Sequence, residues 1–138
     1  MKQITLILIT YFIVSTLNAQ TLFTDRWAHK FYDEKNELYA YFAIELTQKD
    51  SIIIGNHYGV FFGGNRLEDG DGESIKGVAK NLTATISIQS GRSARIPGTA
   101  KLEFLSRESI LFTIIEEPKG GEHLIPREIV LYRDDMVY

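Results

Sequence analysis

The residues best suited to chemistry lie between Ile52 and Ser74, in "IIIGNHYGVFFGGNRLEDGDGES". His57 is the lone histidine of this stretch. On an extended strand it shares one face with Gly55, Gly59, Phe61 and Gly63, because side chains alternate with period two. Two readings follow. The glycines can let a barrel strand coil, or let an aromatic ring lie against the backbone, leaving the imidazole as a hydrogen-bonded core or rim group. Alternatively, they leave a shallow recess floored by backbone, with His57 as its polar feature. Asn65 suits a left-handed turn position. Arg66 offers a planar fork to a carboxylate, and Glu68 is near enough in sequence to supply it.

Asp69, Asp71 and Glu73 alternate as calcium ligands do. A helix–loop–helix calcium loop started at Asp69 needs glycine sixth and glutamate twelfth. Those places hold Ser74 and Lys80, so the pattern fails. "DGDG" reads instead as a hairpin turn, since glycine accepts positive φ.

Catalysis needs a nucleophile or base held by an orienting partner. The chain has no Gly-x-Ser-x-Gly elbow, no His-Glu-x-x-His and no glycine loop opening a helix around phosphate. Glu116 and Glu117 are adjacent, so on a strand they face opposite ways. Cysteine is absent, which removes thiolate nucleophiles and sulfur-rich zinc sites. The expectation is a protein with no catalytic set, no metal site and no cofactor. A small hydrolase or metal-dependent enzyme using His57 is the minority alternative.

The elements that must position these residues are strands. "LTATISIQ" sets Leu82, Ala84, Ile86 and Ile88 against Thr83, Thr85, Ser87 and Gln89, the alternation of a half-buried strand. "TAKLEFL" and "EIVLYR" repeat it, while "ELYAYFAIELT" and "SIIIGNHYGVFFG" are rich in aromatic and branched residues. Turn signals separate them: "QKDS", "GGN", "DGDG", "SGRS", "PGT", "SRES" and "PKGGEH". The pattern predicts an all-β antiparallel meander of about eight strands, closed or nearly closed into a small barrel. A β-sandwich is the alternative. With aromatics at 12% of the chain, the interior should be filled by side chains, leaving recognition to loops and the barrel mouth.

The amino terminus reads as an export signal. Lys2 precedes an uncharged apolar run from Ile4 to Val14, and "STLNAQ" offers Ala19 for cleavage. The run falls short of the roughly 20 residues of a spanning helix. Residues 1–19 are therefore assigned to a signal peptide and 20–138 to one exported domain, periplasmic or secreted, with no membrane span once the signal is removed. A formal net charge of −3 gives no general attraction for nucleic acid.

The combination Gly55-x-His57, Gly63-Gly64-Asn65-Arg66-Leu67 and Ile75-x-Gly77 resembles small exported proteins of Gram-negative bacteria, in which Asn-Arg is usually followed by Ile-Asp rather than Leu67-Glu68. The closing segment "KLEFLSRESILFTIIEEPKGGEHLIPREIVLYR" is similar as well. The resemblance spans most of the mature chain as scattered positions. It implies an exported β-domain and brings no activity with it. "QSGRSARIPG" has a fainter likeness to the Ser-Gly loop of periplasmic lysozyme inhibitors, which are eight-stranded barrels. Arg92 and Arg95 would then pair with the two carboxylates of a glycosidase. The tyrosine and the disulfide common in those inhibitors are missing. The expected function is therefore an exported binding module for a protein or a small envelope component. Its surface would be the His57, Asn65 and Arg66 rim, with the Arg92 and Arg95 loop as rival. A periplasmic inhibitor of a lysozyme-type glycoside hydrolase is the alternative.

Overall fold

The computed structural model describes residues 21–70 and 72–134; the expected signal peptide lies outside them. The chain is all-β. Nine strands form one antiparallel sheet: β1 (Asp25–Tyr32), β2 (Leu38–Lys49), β3 (Ile52–Phe61), β4 (Arg66–Asp69), β5 (Ile75–Lys80), β6 (Thr83–Ile88), β7 (Gly98–Ser106), β8 (Ser109–Glu116) and β9 (Glu128–Arg133). Eight close into a barrel in the order β1-β2-β3-β5-β6-β7-β8-β9, and β4 is an additional strand outside that ring. No helix among the described residues is long and apolar enough to cross a membrane.

Alternation decides what each strand buries. Ala84, Ile86 and Ile88 point inward from β6, Ala100 and Leu102 from β7, and Ile129 and Leu131 from β9. Leu82 departs from its expected face: it sits in the β5–β6 turn, exposed. Trp27, Phe42 and Phe112 supply the bulk, with the two phenyl rings edge to face at 5.7 Å. Side chains from all eight barrel strands meet in this one cluster, which removes their apolar area from water.

The two ends of the barrel differ. One is closed by three two-residue turns, between Lys49 and Ile52, Lys80 and Thr83, and Ser106 and Ser109. Asp50 and Asn81 adopt positive φ there, a conformation these two residue types tolerate better than most. Phe23 plugs this end; its carbonyl accepts from Trp27 Nε1 at 2.9 Å and its N–H donates to Gln48 Oε1 at 3.1 Å. The opposite end carries the 33–37 turn, the 62–65 turn and the two long loops 89–97 and 117–127. Those loops pair with each other through Ile96 and Lys119.

The strands on either side of "DGDG" do not form a hairpin with each other. β4 and β5 both run antiparallel to β3, along the same edge: Phe61 to Tyr58 face Arg66 to Asp69, and Gly55 to Ile52 face Ile75 to Val78. Between these two ladders Asn56 and His57 have no partner in β4 or β5. The expected hairpin turn is thus corrected to a break within a strand. The break frees side chains to replace ladder bonds, and a buried polar cluster forms there.

Candidate functional site

His57 faces the barrel interior, 2% exposed, with its ring 6.3 Å from that of Phe42. Because the partner strand is broken opposite it, its backbone N–H has no carbonyl to meet. It donates instead to Ser74 Oγ at 3.1 Å, and its carbonyl accepts from the Gly70 N–H at 3.2 Å. The same Ser74 oxygen lies 2.7 Å from His57 Nδ1. On the other side of the ring, Nε2 is 3.1 Å from Glu68 Oε1, and Glu68 is wholly buried. Its second oxygen accepts the Leu124 N–H at 2.8 Å. With Glu68 ionised we assign the proton of the neutral ring to Nε2, so that Nδ1 accepts from the Ser74 hydroxyl. Each polar atom of the histidine then has a partner, as buried groups require.

Burial by itself would push the Glu68 carboxyl up. Hydrogen bonds from His57, Ser90 and the Leu124 N–H outweigh it and hold the group below the ordinary glutamate range. Gly70 makes the arrangement possible: a Cβ there would stand 2.1 Å from Ser74 Oγ and 2.9 Å from His57 Nδ1. Gly59 does the same for Phe61, whose ring crosses the space a Cβ would take at 2.6 Å.

The cluster reaches beyond β3. Glu68 belongs to β4, Ser90 to the 89–97 loop and Leu124 to the 117–127 loop. Nearby, Gly91 N–H donates to Asp69 O at 2.7 Å, Arg92 Nη1 donates to Leu67 O at 3.0 Å, and Ala94 N–H donates to Glu122 O at 3.1 Å. A buried polar hub thus fastens the loop-bearing end of the barrel shut.

Serine, histidine and glutamate in a row follow the order of nucleophile, base and orienting carboxylate. Their surroundings do not suit that work. Ser74 is 5% exposed, and the side chains of His57 and Glu68 are 0% exposed. The hydroxyl already accepts from one N–H and donates to the ring. Sequence reasoning missed Ser74 and Ser90, and it paired Glu68 with Arg66. The structure corrects that pairing: Glu68 turns in to His57, while Arg66 remains exposed with its guanidinium 5.9 Å from the centre of the Phe62 ring.

The nominated residues therefore separate. His57 is inside the wall and not on an open rim, while Asn65 and Arg66 are exposed on the 62–65 turn and the start of β4. In the rival loop, Ser90 is buried and Arg92 is engaged by Leu67 O and, at 3.5 Å, by Glu122. Arg95 is exposed. Among the described residues no group of three or more His, Cys, Asp or Glu side chains is placed to hold a metal ion.

Beside Gly63 and Gly64 of the 62–65 turn lies an open groove of about 420 Å³ that the sequence did not announce. Leu38, Tyr39, Tyr41 and Val60 form its apolar walls, and Gly63 and Gly64 its far lip. Its polar edge is a network on the outer surface of β1 and β2. Arg26 donates to Tyr41 Oη and, at 3.2 Å, to Asp134. The Tyr41 hydroxyl donates to Asp134 at 2.9 Å, and Lys30 Nζ is 3.3 Å away from the same carboxylate. Burial would raise the Asp134 carboxyl, but these three donors pull it below its ordinary range. Exposed Tyr39 and Phe62 meet edge to face across the groove's lip, 6.5 Å apart, and Tyr58 is exposed beside Tyr41. No family model, curated protein or solved structure matches the chain.

Proposed function

We propose that the protein is an exported, non-catalytic binding module of the bacterial envelope, recognising a protein or a small envelope component. Its recognition surface is the groove between the β1–β2 hairpin and the 62–65 turn, with Asn65 and Arg66 following its Gly63–Gly64 lip in the chain. The observation that carries this reading is the aromatic cluster there. Tyr39, Tyr58 and Phe62 are each at least 40% exposed; Tyr39 lines a concave, mostly apolar surface, and Phe62 and Tyr58 adjoin it through their ring contacts with Tyr39 and Tyr41. Rigid aromatics left in water around a recess are the composition of binding sites. The groups that resemble catalytic ones are, by contrast, used up inside the wall.

The test is capture from an envelope extract with the mature domain as bait, comparing the unaltered protein with Phe62→Asp and Tyr39→Ala. Both side chains are exposed, so the barrel should persist. A partner retained by the unaltered protein and lost by both variants is the expected result. Equal retention by all three would place recognition elsewhere.

A further inference from the structure

A second exposed apolar surface lies at the other end of β3. Ile52 and Val78 of β5 are cross-strand partners, each 54% exposed, and Ile54, 44% exposed, stands two positions along β3 from Ile52. Side chains directly opposite each other, or two apart on one strand, share a face of the sheet, so the three form one aliphatic patch on the outer wall of the barrel. Strand preference alone does not demand them. Threonine satisfies it equally well, and the neighbouring outward position, Thr85 opposite Val78, uses it. Contiguous apolar side chains left in water mark a surface that meets something.

Lysines surround the patch. Lys49 lies opposite Ile52 from β2, Lys76 lies opposite Ile54 from β5, and Lys80 follows Val78 by two positions. All three are exposed, and none is ion-paired among the described residues. The outward positions of β5 and β6, and of β3 from Ile52 to Asn56, hold no acidic residue. Asp50, in the turn after Lys49, borders the patch, while Glu103 beyond β6 is taken up by Lys101 at 2.9 Å. The patch is therefore locally cationic, although the whole chain carries −3.

An aliphatic centre within a collar of ammonium groups is complementary to an anionic bilayer surface. Lysine stems lie along apolar side chains while their heads reach phosphate, and aliphatic tips enter the boundary between headgroups and acyl chains. A soluble polyanion would satisfy the lysines and leave the three aliphatic side chains in water.

We propose that the outer wall of β3 and β5 docks on an anionic lipid surface, with Ile52, Ile54 and Val78 in the interface and Lys49, Lys76 and Lys80 over the headgroup phosphates. Val60, where β3 borders the groove, is at the opposite end of the strand, so this docking does not depend on the binding reading above.

The experiment is co-sedimentation of the mature protein with vesicles of phosphatidylglycerol and phosphatidylcholine in equal parts, and with vesicles of phosphatidylcholine alone. The mixed vesicles should bind at least about tenfold more tightly, and the difference should shrink as salt is raised. A lysine near an anionic surface contributes about fivefold. Lys49→Gln/Lys76→Gln/Lys80→Gln should therefore weaken binding on the order of a hundredfold. Lys35→Gln/Arg95→Gln/Arg127→Gln removes as many exposed charges at the loop-bearing end and should have little effect. Ile52→Thr/Val78→Thr keeps branched residues in both strands and should weaken binding about tenfold, with circular dichroism confirming the barrel. The proposal is overturned by no binding to the mixed vesicles, by equal loss in the two charge variants, by indifference to Ile52→Thr/Val78→Thr, or by equally tight binding of poly-glutamate.

Discussion

His57 and Glu68 are joined ring to carboxylate at 3.1 Å, with both side chains sealed from solvent, although Glu68 lies only two positions beyond the exposed Arg66. The sheet dictates this choice of partner. Glu68 faces Gly59 across the β3–β4 ladder, which puts its side chain on the same face of the sheet as His57.

Breaking that pair should be expensive. His57→Leu strands a buried carboxylate and is expected to cost about 3–5 kcal/mol. Replacing both groups, His57→Leu with Glu68→Leu, should cost less than the sum of the single changes, because no charge is then left unpaired. Urea denaturation of the four proteins measures the coupling. Strict additivity would mean that the two groups do not depend on each other.

The depressed Glu68 carboxyl also sets an acid limit. As pH falls, the unfolded chain takes up this proton first, at the ordinary glutamate value of about 4.3. The contribution to stability is complete above that pH and is lost as pH falls through the lower folded value. The stability of Glu68→Gln should therefore fall less steeply than that of the unaltered protein below about pH 4.3. Parallel thermal melts across this range provide the comparison.

Gly70 is predicted to be intolerant of any side chain. Gly70→Ala would drive its methyl into Ser74 Oγ and Cβ, at 2.1 and 2.2 Å, and is expected to destabilise the fold by about 1–3 kcal/mol. Ser74→Gly in the same background removes the obstacle and should recover part of that loss. No recovery in a denaturation series would assign the penalty to the backbone instead.

Ser74 should be chemically silent. A fluorophosphonate probe labels serines that are both activated and accessible, and this hydroxyl is neither open nor free of partners. The native protein should remain unlabelled under conditions that label a serine hydrolase control. Stoichiometric labelling abolished by Ser74→Ala would revive the hydrolase reading.

Much of the architecture was legible in residue order, because a strand in a barrel wall writes its two environments into alternate positions. Ala84, Ile86 and Ile88, or Ile129 and Leu131, declare their strands and their inward face without reference to any neighbour. "QKDS" and "SRES" likewise mark reversals where they occur. "DGDG" misled because glycine and acidic residues suit a turn, a bulge and an excursion equally well. Only the partner strand decides among these.

What alternation cannot state is which atom lies opposite. It placed His57 among glycines on one face, but the occupants of that space come from residues 11 and 17 positions away, Glu68 and Ser74, brought in by the registers of β4 and β5 on β3. The groove follows the same rule. Tyr39, Val60 and Asp134 become neighbours only when the barrel closes and sets the end of β9 beside β1. Local order thus determined most of the strands, their buried faces and the turns at "QKDS" and "SRES". Long-range register decided the hub and the groove, because hydrogen bonds and cavities depend on distances between segments, which no single segment encodes.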